Sequence, residues 1–381
     1  MSSTQLGAIS TANISQLATT QLAALTTTQV KALTAGQLGA LNATNVGALA
    51  TTQIAALTST QIAGLGAGNF SALNATQIGA LADTQIKALT TSQLKGLTTT
   101  DIGELSSTQV ATLSVAQLTS LSATNVSALS ATQTKALTTT QIKGLTTDQL
   151  KGLSATDLGE LADTQIAALT TPQVALLTST QTGQLSTTQV AALATTQITA
   201  LTTTAFSSLT ATQAGALTTT QVAALTTAQL NGLTTTDIGE LATTQVAALT
   251  TSQVAALSVT NLTALNATQS KALTATQLKS LLSTQIKGLS SVDVGELAST
   301  QVGALTSTQI GQLTTTVIGA LTTTQVGMLQ ASQMAGLTIT QLDSLSTTNI
   351  EAMSSTQANA LTQTQVQSFS AAQVESYIKV I

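Results

Sequence analysis

The feature that most constrains the fold is a period of eight residues that runs through the chain without an insertion or a deletion. Gln recurs at this spacing from Gln5 to Gln373, which divides the chain into 47 octads. Asn or Asp replaces Gln at some positions, and only Ala205 and Val317 break this polar column. A period this regular indicates a repeat array, in which each octad adds one identical step to a coil.

The octad consensus is Thr-Thr-Thr-Gln-(Ile/Val)-x-(Ala/Gly)-Leu. The large apolar residues follow the polar column by one and by four positions, which is the spacing of one helix face. Ser or Thr three residues before Gln is the capping-box signature of a helix N-terminus. The only proline, Pro172, directly precedes Gln173, and the first turn of a helix tolerates proline because its missing N–H is not needed there.

A continuous helix is excluded because eight residues turn the chain by about 800°, so the apolar stripe would rotate by about 80° per octad. We therefore predict a helical solenoid of short one- to two-turn helices, each restarted by the next Thr cap. A β-solenoid is the alternative, since Thr, Ile and Val favour strands and Thr and Gln can stack in ladders. Adjacent apolar residues at the end of the octad fit strand alternation poorly, which favours the helical form.

A second, longer repeat is superimposed on the octad repeat. The segment DIGEL that starts at Asp101 returns at Asp237, and Phe70 returns as Phe206, both after 136 residues or seventeen octads. The offset indicates an internal duplication of about 29–164 as about 165–300. Both Phe residues stand in the Ile/Val column, so we expect them in the core.

We predict one continuous solenoid over residues 1–368, followed by a divergent C-terminal segment, 369–381. Phe369 and Tyr377 stand there in the Leu column, and the last residues are apolar. This segment is expected to cap the last coil or to act as an export or assembly signal.

Composition excludes several classes of function. Charged residues make up 6% and aromatic residues 1% of the chain, against about 25% charged in an average domain. The net charge of −4 offers no basic field for nucleic acid. The chain has no Cys and no His, which excludes disulfides, His- or Cys-ligated metal sites and His-dependent catalytic triads. We therefore predict that the protein is not an enzyme and has no catalytic, cofactor-binding or metal-binding residues.

The charged residues are patterned. Nine of the ten lysines stand two residues after the polar column: Lys31, Lys87, Lys95, Lys135, Lys143, Lys151, Lys271, Lys279 and Lys287. Four octads carry an acidic pair: Asp101 and Glu104, Asp157 and Glu160, Asp237 and Glu240, and Asp293 and Glu296. We expect a surface salt-bridge ladder between lysines and acids, worth little per pair. A weak calcium site at the acidic pairs and a patch for a partner protein are the alternatives.

Runs such as ALTTTQVAALTT at 216–227 resemble the Thr/Gln-rich octapeptide arrays of large bacterial surface or secreted proteins, some of them adhesin-like. The resemblance covers nearly the whole chain and implies a bacterial, extracellular or cell-surface structural protein. Such arrays are sometimes labelled haem-utilisation proteins, but the lack of His and Cys argues against haem here. No signal peptide is visible at the start and no apolar stretch is long enough to span a membrane, so the export route is left open.

The expected function is that of an exported spacer or a self-assembling filament or surface-layer component. Self-association, end to end or lateral, is expected because an uncapped solenoid exposes apolar columns at its ends and because the low charge gives little repulsion. The alternative is a binding module whose flat Thr-rich face contacts ice, a glycan or another repetitive surface.

Overall fold

The computed structural model describes residues 1–381 as a succession of 47 short α-helices without a strand, one helix per octad. The prediction of a helical solenoid is confirmed, and the β-solenoid alternative is wrong. The chain divides into two compact units, Met1–Leu193 and Ala194–Ile381, which are described separately below. The continuity of one solenoid over 1–368 stays a prediction.

Unit 1 contains 24 helices. They are α1 Ser3–Gly7, α2 Thr11–Ile14, α3 Thr19–Ala23, α4 Thr27–Ala32, α5 Ala35–Gly39, α6 Ala43–Gly47, α7 Thr51–Ala56, α8 Ser59–Gly64, α9 Ala67–Phe70, α10 Ala75–Gly79, α11 Asp83–Lys87, α12 Thr91–Lys95, α13 Thr99–Glu104, α14 Ser107–Thr112, α15 Val115–Ser120, α16 Ala123–Ser127, α17 Ala131–Ala136, α18 Thr139–Gly144, α19 Thr147–Gly152, α20 Ala155–Glu160, α21 Asp163–Ile166, α22 Thr171–Val174, α23 Ser179–Gly183 and α24 Thr187–Ala192.

Unit 2 contains 23 helices. They are α25 Thr195–Ile198, α26 Thr203–Phe206, α27 Ala211–Ala216, α28 Thr219–Ala224, α29 Thr227–Gly232, α30 Thr235–Glu240, α31 Thr243–Ala248, α32 Thr251–Ala256, α33 Val259–Thr263, α34 Ala267–Ala272, α35 Ala275–Lys279, α36 Ser283–Gly288, α37 Ser291–Glu296, α38 Ser299–Ala304, α39 Ser307–Gln312, α40 Thr315–Gly319, α41 Thr323–Gly327, α42 Ala331–Gly336, α43 Ile339–Asp343, α44 Thr347–Glu351, α45 Ser355–Asn359, α46 Gln363–Gln367 and α47 Ala371–Ile378.

Each octad breaks the helix with two extended residues. In the fourth octad, Thr26 caps α4 with φ −70° and ψ 158°, and Leu33 ends it with φ −64° and ψ 138°. The Thr26 hydroxyl accepts a hydrogen bond from the Gln29 N–H, and the Gln29 side-chain oxygen accepts one from the Thr26 N–H at 2.8 Å. This reciprocal capping box satisfies N–H groups that a helix start leaves free, so a helix can restart every eight residues.

Within each unit the coil completes a turn in about three and a half octads. Helices contact the helix three octads later, as α5 contacts α8 and α8 contacts α11. The side-chain amide of Gln53 instead reaches back four octads, to carbonyl oxygens 31 and 28 residues earlier. Each helix is therefore stacked on the preceding turn, between the helices three and four octads earlier. Consecutive octads are separated by somewhat more than a quarter of a turn.

The two apolar columns form the core. Side chains directly after the polar column are buried from Leu6 to Ala358, and the Leu column is buried from Leu33 to Phe369. Phe70 and Phe206 are both buried, as predicted. Because one octad contributes only these two large side chains, its burial depends on the stacked turns, as in other solenoids. No helix has the length and apolar character needed to cross a membrane.

Candidate functional site

The polar column joins neighbouring turns. The side-chain oxygen of Gln53 accepts a hydrogen bond from the Ala50 N–H and so caps its own helix. Its Nε2 donates to the carbonyl oxygens of Leu22 at 3.0 Å, Ala23 at 3.3 Å and Leu25 at 2.7 Å in the preceding turn. The same pattern recurs along both units, for example at Gln61. The Leu25 carbonyl has no other donor, whereas the Leu22 carbonyl also accepts from the Leu25 N–H. Each buried Gln thus supplies a donor to carbonyls at the end of a short helix in the preceding turn.

The four acidic octads lack this donor because a carboxylate only accepts. In unit 1, Asp101 is 6% exposed. Its Oδ2 accepts a hydrogen bond from the Thr98 N–H at 2.7 Å and another from the Ser71 hydroxyl at 2.6 Å, four octads earlier. Asp157 is bound in the same way by the Ser127 hydroxyl, at 2.8 Å.

In the acidic octads of unit 2, Asp still accepts the capping hydrogen bond from the backbone, but the hydrogen bond from a hydroxyl of the preceding turn is absent. Asp237 and Asp293 each accept from the N–H of their N-cap residue, at 2.7 Å and 2.6 Å. The Thr263 hydroxyl, which stands where Ser127 stands in unit 1, donates to the Val259 carbonyl of its own helix instead. A Leu-lined cavity of about 10 Å³ lies beside Asp237, and one of about 20 Å³ lies beside Asp293.

Two glutamates of these octads hold unsatisfied oxygens. Oε2 of Glu104 and Oε2 of Glu240 are buried and have no hydrogen-bond partner. Burial of the carboxyl group, and secondarily the charge of the Asp three residues earlier, raises the pKa of both glutamates above the ordinary value. A carboxyl group with a raised pKa costs stability when it is ionised at neutral pH.

The predicted salt-bridge ladder is wrong. None of the nine patterned lysines forms an ion pair; the ion pair that the structure shows joins Lys379 to Glu351 at 2.7 Å in the C-terminal segment. The physical reason is the rotation between octads, which places the lysines and the following acidic octad on different sides of the turn. The Asp of each pair also occupies the Gln position, where it accepts from the backbone of its own cap.

The calcium alternative receives no support from the geometry. No group of three or more acidic side chains converges. One oxygen of each Asp in the acidic octads is already bound by the backbone of its own cap. The Asp residues of the four pairs therefore act in the structure as helix caps.

The octad pattern predicts that Gln caps its own helix, but it does not predict the hydrogen bonds that the Gln side chain donates to the preceding turn. It also missed Ser71 and Ser127 as partners of Asp101 and Asp157. The spacing gives only a partial signal, since each Ser precedes its Asp by 30 residues, but Ser207 precedes Asp237 by the same spacing without bonding it. Using it requires the number of octads per turn, which no single octad reveals.

The fold and the polar column define each unit as an all-helical repeat solenoid held together by side-chain amides. The family model of the ALTTAQ repeat matches residues 1–35, 35–67, 78–115, 190–227 and 222–259. These five matches confirm that the chain carries a repeat array. No curated protein gives a match to the chain.

Proposed function

We propose that the protein is a non-catalytic structural repeat protein, an exported spacer that assembles end to end into filaments at the bacterial cell surface. The observation that carries the proposal is that the hydroxyl and amide side chains take part in hydrogen bonds that build the coil. Ser and Thr hydroxyls cap the helices, and Gln amides bond one turn to the next, throughout both units. In nearly every octad these side chains therefore serve to extend the coil.

Complementary groups at the first and last turns support end-to-end association. In the first turn, the side chains of Gln5, Asn13 and Gln21 are exposed, and their amide nitrogens donate no hydrogen bond within the chain, unlike the amide of Gln37. In the last turn, the carbonyls of Met353, Leu361 and Phe369 stand where inner turns accept from Gln, and they accept no hydrogen bond.

A second copy stacked on the last turn of the first would bring the amide donors of its first turn toward these carbonyls. A head-to-tail contact of this kind does not close on itself and therefore gives an open fibre.

The C-terminal segment contributes to the contact surface. Phe369 and Tyr377 pack edge to face with ring centroids 5.7 Å apart, and the Tyr377 hydroxyl donates to the Ala358 carbonyl at 3.3 Å. Ile378 and Ile381 are 62% and 61% exposed. Exposed apolar side chains beside unpaired carbonyls suit contact with another copy better than contact with water.

The test is light scattering with negative-stain microscopy over a concentration series at moderate salt. The 381-residue chain is expected to form concentration-dependent filaments. Replacing Tyr377–Ile381 with charged residues, or changing Gln5, Asn13 and Gln21 to Glu, Asp and Glu, should weaken assembly. A matched control changes the exposed surface residues Lys143 and Lys151 to Gln and should leave assembly unchanged. A monodisperse monomer at every concentration would contradict self-assembly and leave only a passive spacer.

A Thr-rich binding face is the second candidate. The residue directly before the polar column is exposed, and Thr52, Thr84 and Thr108, each about one turn after the last, lie on one side of the coil. Their hydroxyls are available to an external surface, whereas the N-cap hydroxyls are engaged. Thermal hysteresis and ice shaping measure the ice-binding version of this function, and their absence would remove that version.

A further inference from the structure

The octads without Gln follow the turn of the coil. In unit 1 they carry Asn13, Asn45, Asn69, Asp101, Asn125 and Asp157; in unit 2 they carry Ala205, Asp237, Asn261, Asp293, Val317 and Asn349. In both units successive members are separated alternately by four and three octads. Since one turn takes about three and a half octads, each member lies one turn after the last. We call the line that these octads form along each unit the seam.

The seam is the side on which neighbouring turns share the fewest hydrogen bonds. An ordinary octad such as that of Gln37 donates to three carbonyls of the preceding turn. The shorter Asn69 and Asn125 each donate to one, at 2.7 Å and 2.8 Å, and Asn261 donates to two, both at 3.2 Å. The Asp members donate to none, and Ala205 and Val317 have no polar side chain at all.

Packing along the seam is also incomplete. The two Leu-lined cavities of unit 2 lie beside the seam residues Asp237 and Asp293. The two buried oxygens without a partner, on Glu104 and Glu240, belong to seam octads as well. Cavities and unsatisfied polar atoms both lower the local free energy of opening. Missing hydrogen bonds and incomplete packing therefore both weaken the contact between neighbouring turns along the seam.

We propose that the seam is a built-in line of compliance, along which neighbouring turns separate first while the other side of the coil stays bonded. A unit that opens on one side bends or lengthens without unfolding, because the Gln amides of the remaining octads hold the turns together. This property goes beyond the spacer role and rests on the fold alone, so it holds whether or not the protein assembles end to end.

The direct test is hydrogen–deuterium exchange of the unmodified chain, read by mass spectrometry at the level of single octads. Local opening exposes the amides of the segment that opens. Amides of the seam helices α13, α16 and α20 are expected to exchange several-fold faster than those of α11 and α18, which lie across the coil from the seam. Equal protection around the turn would overturn the proposal.

A pair of variants of unit 2 makes the test specific. Changing its six seam residues to Gln should bring seam exchange down to the level of the other octads. The control changes Gln to Asn at 221, 253, 277, 309, 333 and 365, which repeats the seam spacing on another side, and should create a second fast-exchanging line there. Seam exchange that stays fast after the Gln restoration would also overturn the proposal. The unmodified chain decides the question if a variant does not fold.

Discussion

The acidic octads of the two units share their sequence and differ in their surroundings. Asp101 and Asp237 both begin the segment DIGEL, yet Asp101 accepts a hydroxyl from the preceding turn and Asp237 does not. Unit 2 has a cavity beside its Asp, where unit 1 has a Ser hydroxyl within 2.6 Å. Ser207 stands 30 residues before Asp237, as Ser71 does before Asp101. An octad therefore determines its own helix and cap, whereas the contact of its polar residue depends on how the preceding turn packs against it.

The largest effect is expected from breaking the register that brings Ser71 to Asp101. Deleting four residues, Thr90–Gln93, shifts every later apolar column relative to the turns before it. Cooperative unfolding of unit 1 should be lost, because buried and exposed positions are exchanged. Thermal circular dichroism measures this loss.

The matched control deletes the whole octad Thr90–Leu97. It keeps the columns in phase and should preserve the cooperative transition, losing mainly the contact between Ser71 and Asp101. Similar melting curves for the four-residue and eight-residue deletions would contradict the solenoid register.

The bonds between turns are tested by exchanging Gln and Asp. Gln245 donates to the carbonyls of Ala214 at 2.7 Å and Leu217 at 2.8 Å. Gln245→Asp should lower the free energy of unfolding by about 1–3 kcal/mol, since the Leu217 carbonyl loses its donor and the Ala214 carbonyl keeps only the Leu217 N–H. Asp237→Gln should raise it by restoring such bonds and filling the cavity.

Asp101→Gln should stabilise less than Asp237→Gln, because it removes the hydrogen bond from Ser71. Urea unfolding of the three variants gives the order. Equal gains for Asp101→Gln and Asp237→Gln would show that the environments of the two acids do not differ in energy.

The serine contacts are tested next. Ser71→Ala removes a hydroxyl bound to a carboxylate and should cost about 1.5–3 kcal/mol, read from the urea midpoint. Ser207→Ala is the control, because the Ser207 hydroxyl makes no hydrogen bond to Asp237. A cost for Ser207→Ala as large as that for Ser71→Ala would contradict the distinction between the units.

Close approach of turns is tested at two glycines of unit 1. A Cβ added at Gly144 would clash with Cγ1 of Val115 in the preceding turn, whereas one added at Gly103 meets nothing within 4 Å. Gly144→Ala should cost about 1–3 kcal/mol through overpacking. Gly103→Ala should gain about 0.4–1 kcal/mol, because Ala lowers the entropy of the unfolded chain. A gain at both positions in thermal unfolding would show that the turns are less closely packed.

The smallest effect concerns pH and is shared by both units. The raised pKa of Glu104 and of Glu240 means that the folded state binds protons more readily than the unfolded state. Their contribution therefore favours folding at low pH and is lost as pH rises through the folded pKa. Glu104→Gln should flatten the slope of unfolding free energy between mildly acidic and neutral pH in urea titrations. An unchanged slope would mean that Glu104 titrates alike in both states.

Much of the fold could be predicted from the octad. The capping box at Thr26 and Gln29 and the apolar spacing after Gln29 are local signals, and they predict short restarting helices. The partners of Gln53 Nε2 could not be predicted, because they lie 28–31 residues earlier and depend on the number of octads per turn. The salt-bridge ladder failed for the same reason, since adjacency in sequence was taken for adjacency in space.

The most direct test of the account is a pair of distances in unit 1, because closure of the turn at about three and a half octads underlies every contact above. The chain has no cysteine, so pairs of spin labels can be attached to cysteines introduced at two of the exposed positions 135, 151 and 159. Helices α17 and α20 are in contact, so labels at Lys135→Cys and Gly159→Cys should be closer together than labels at Lys135→Cys and Lys151→Cys, although the first pair is farther apart in sequence. Electron–electron double resonance measures both distances. A longer distance for the 135–159 pair would contradict the closed turn.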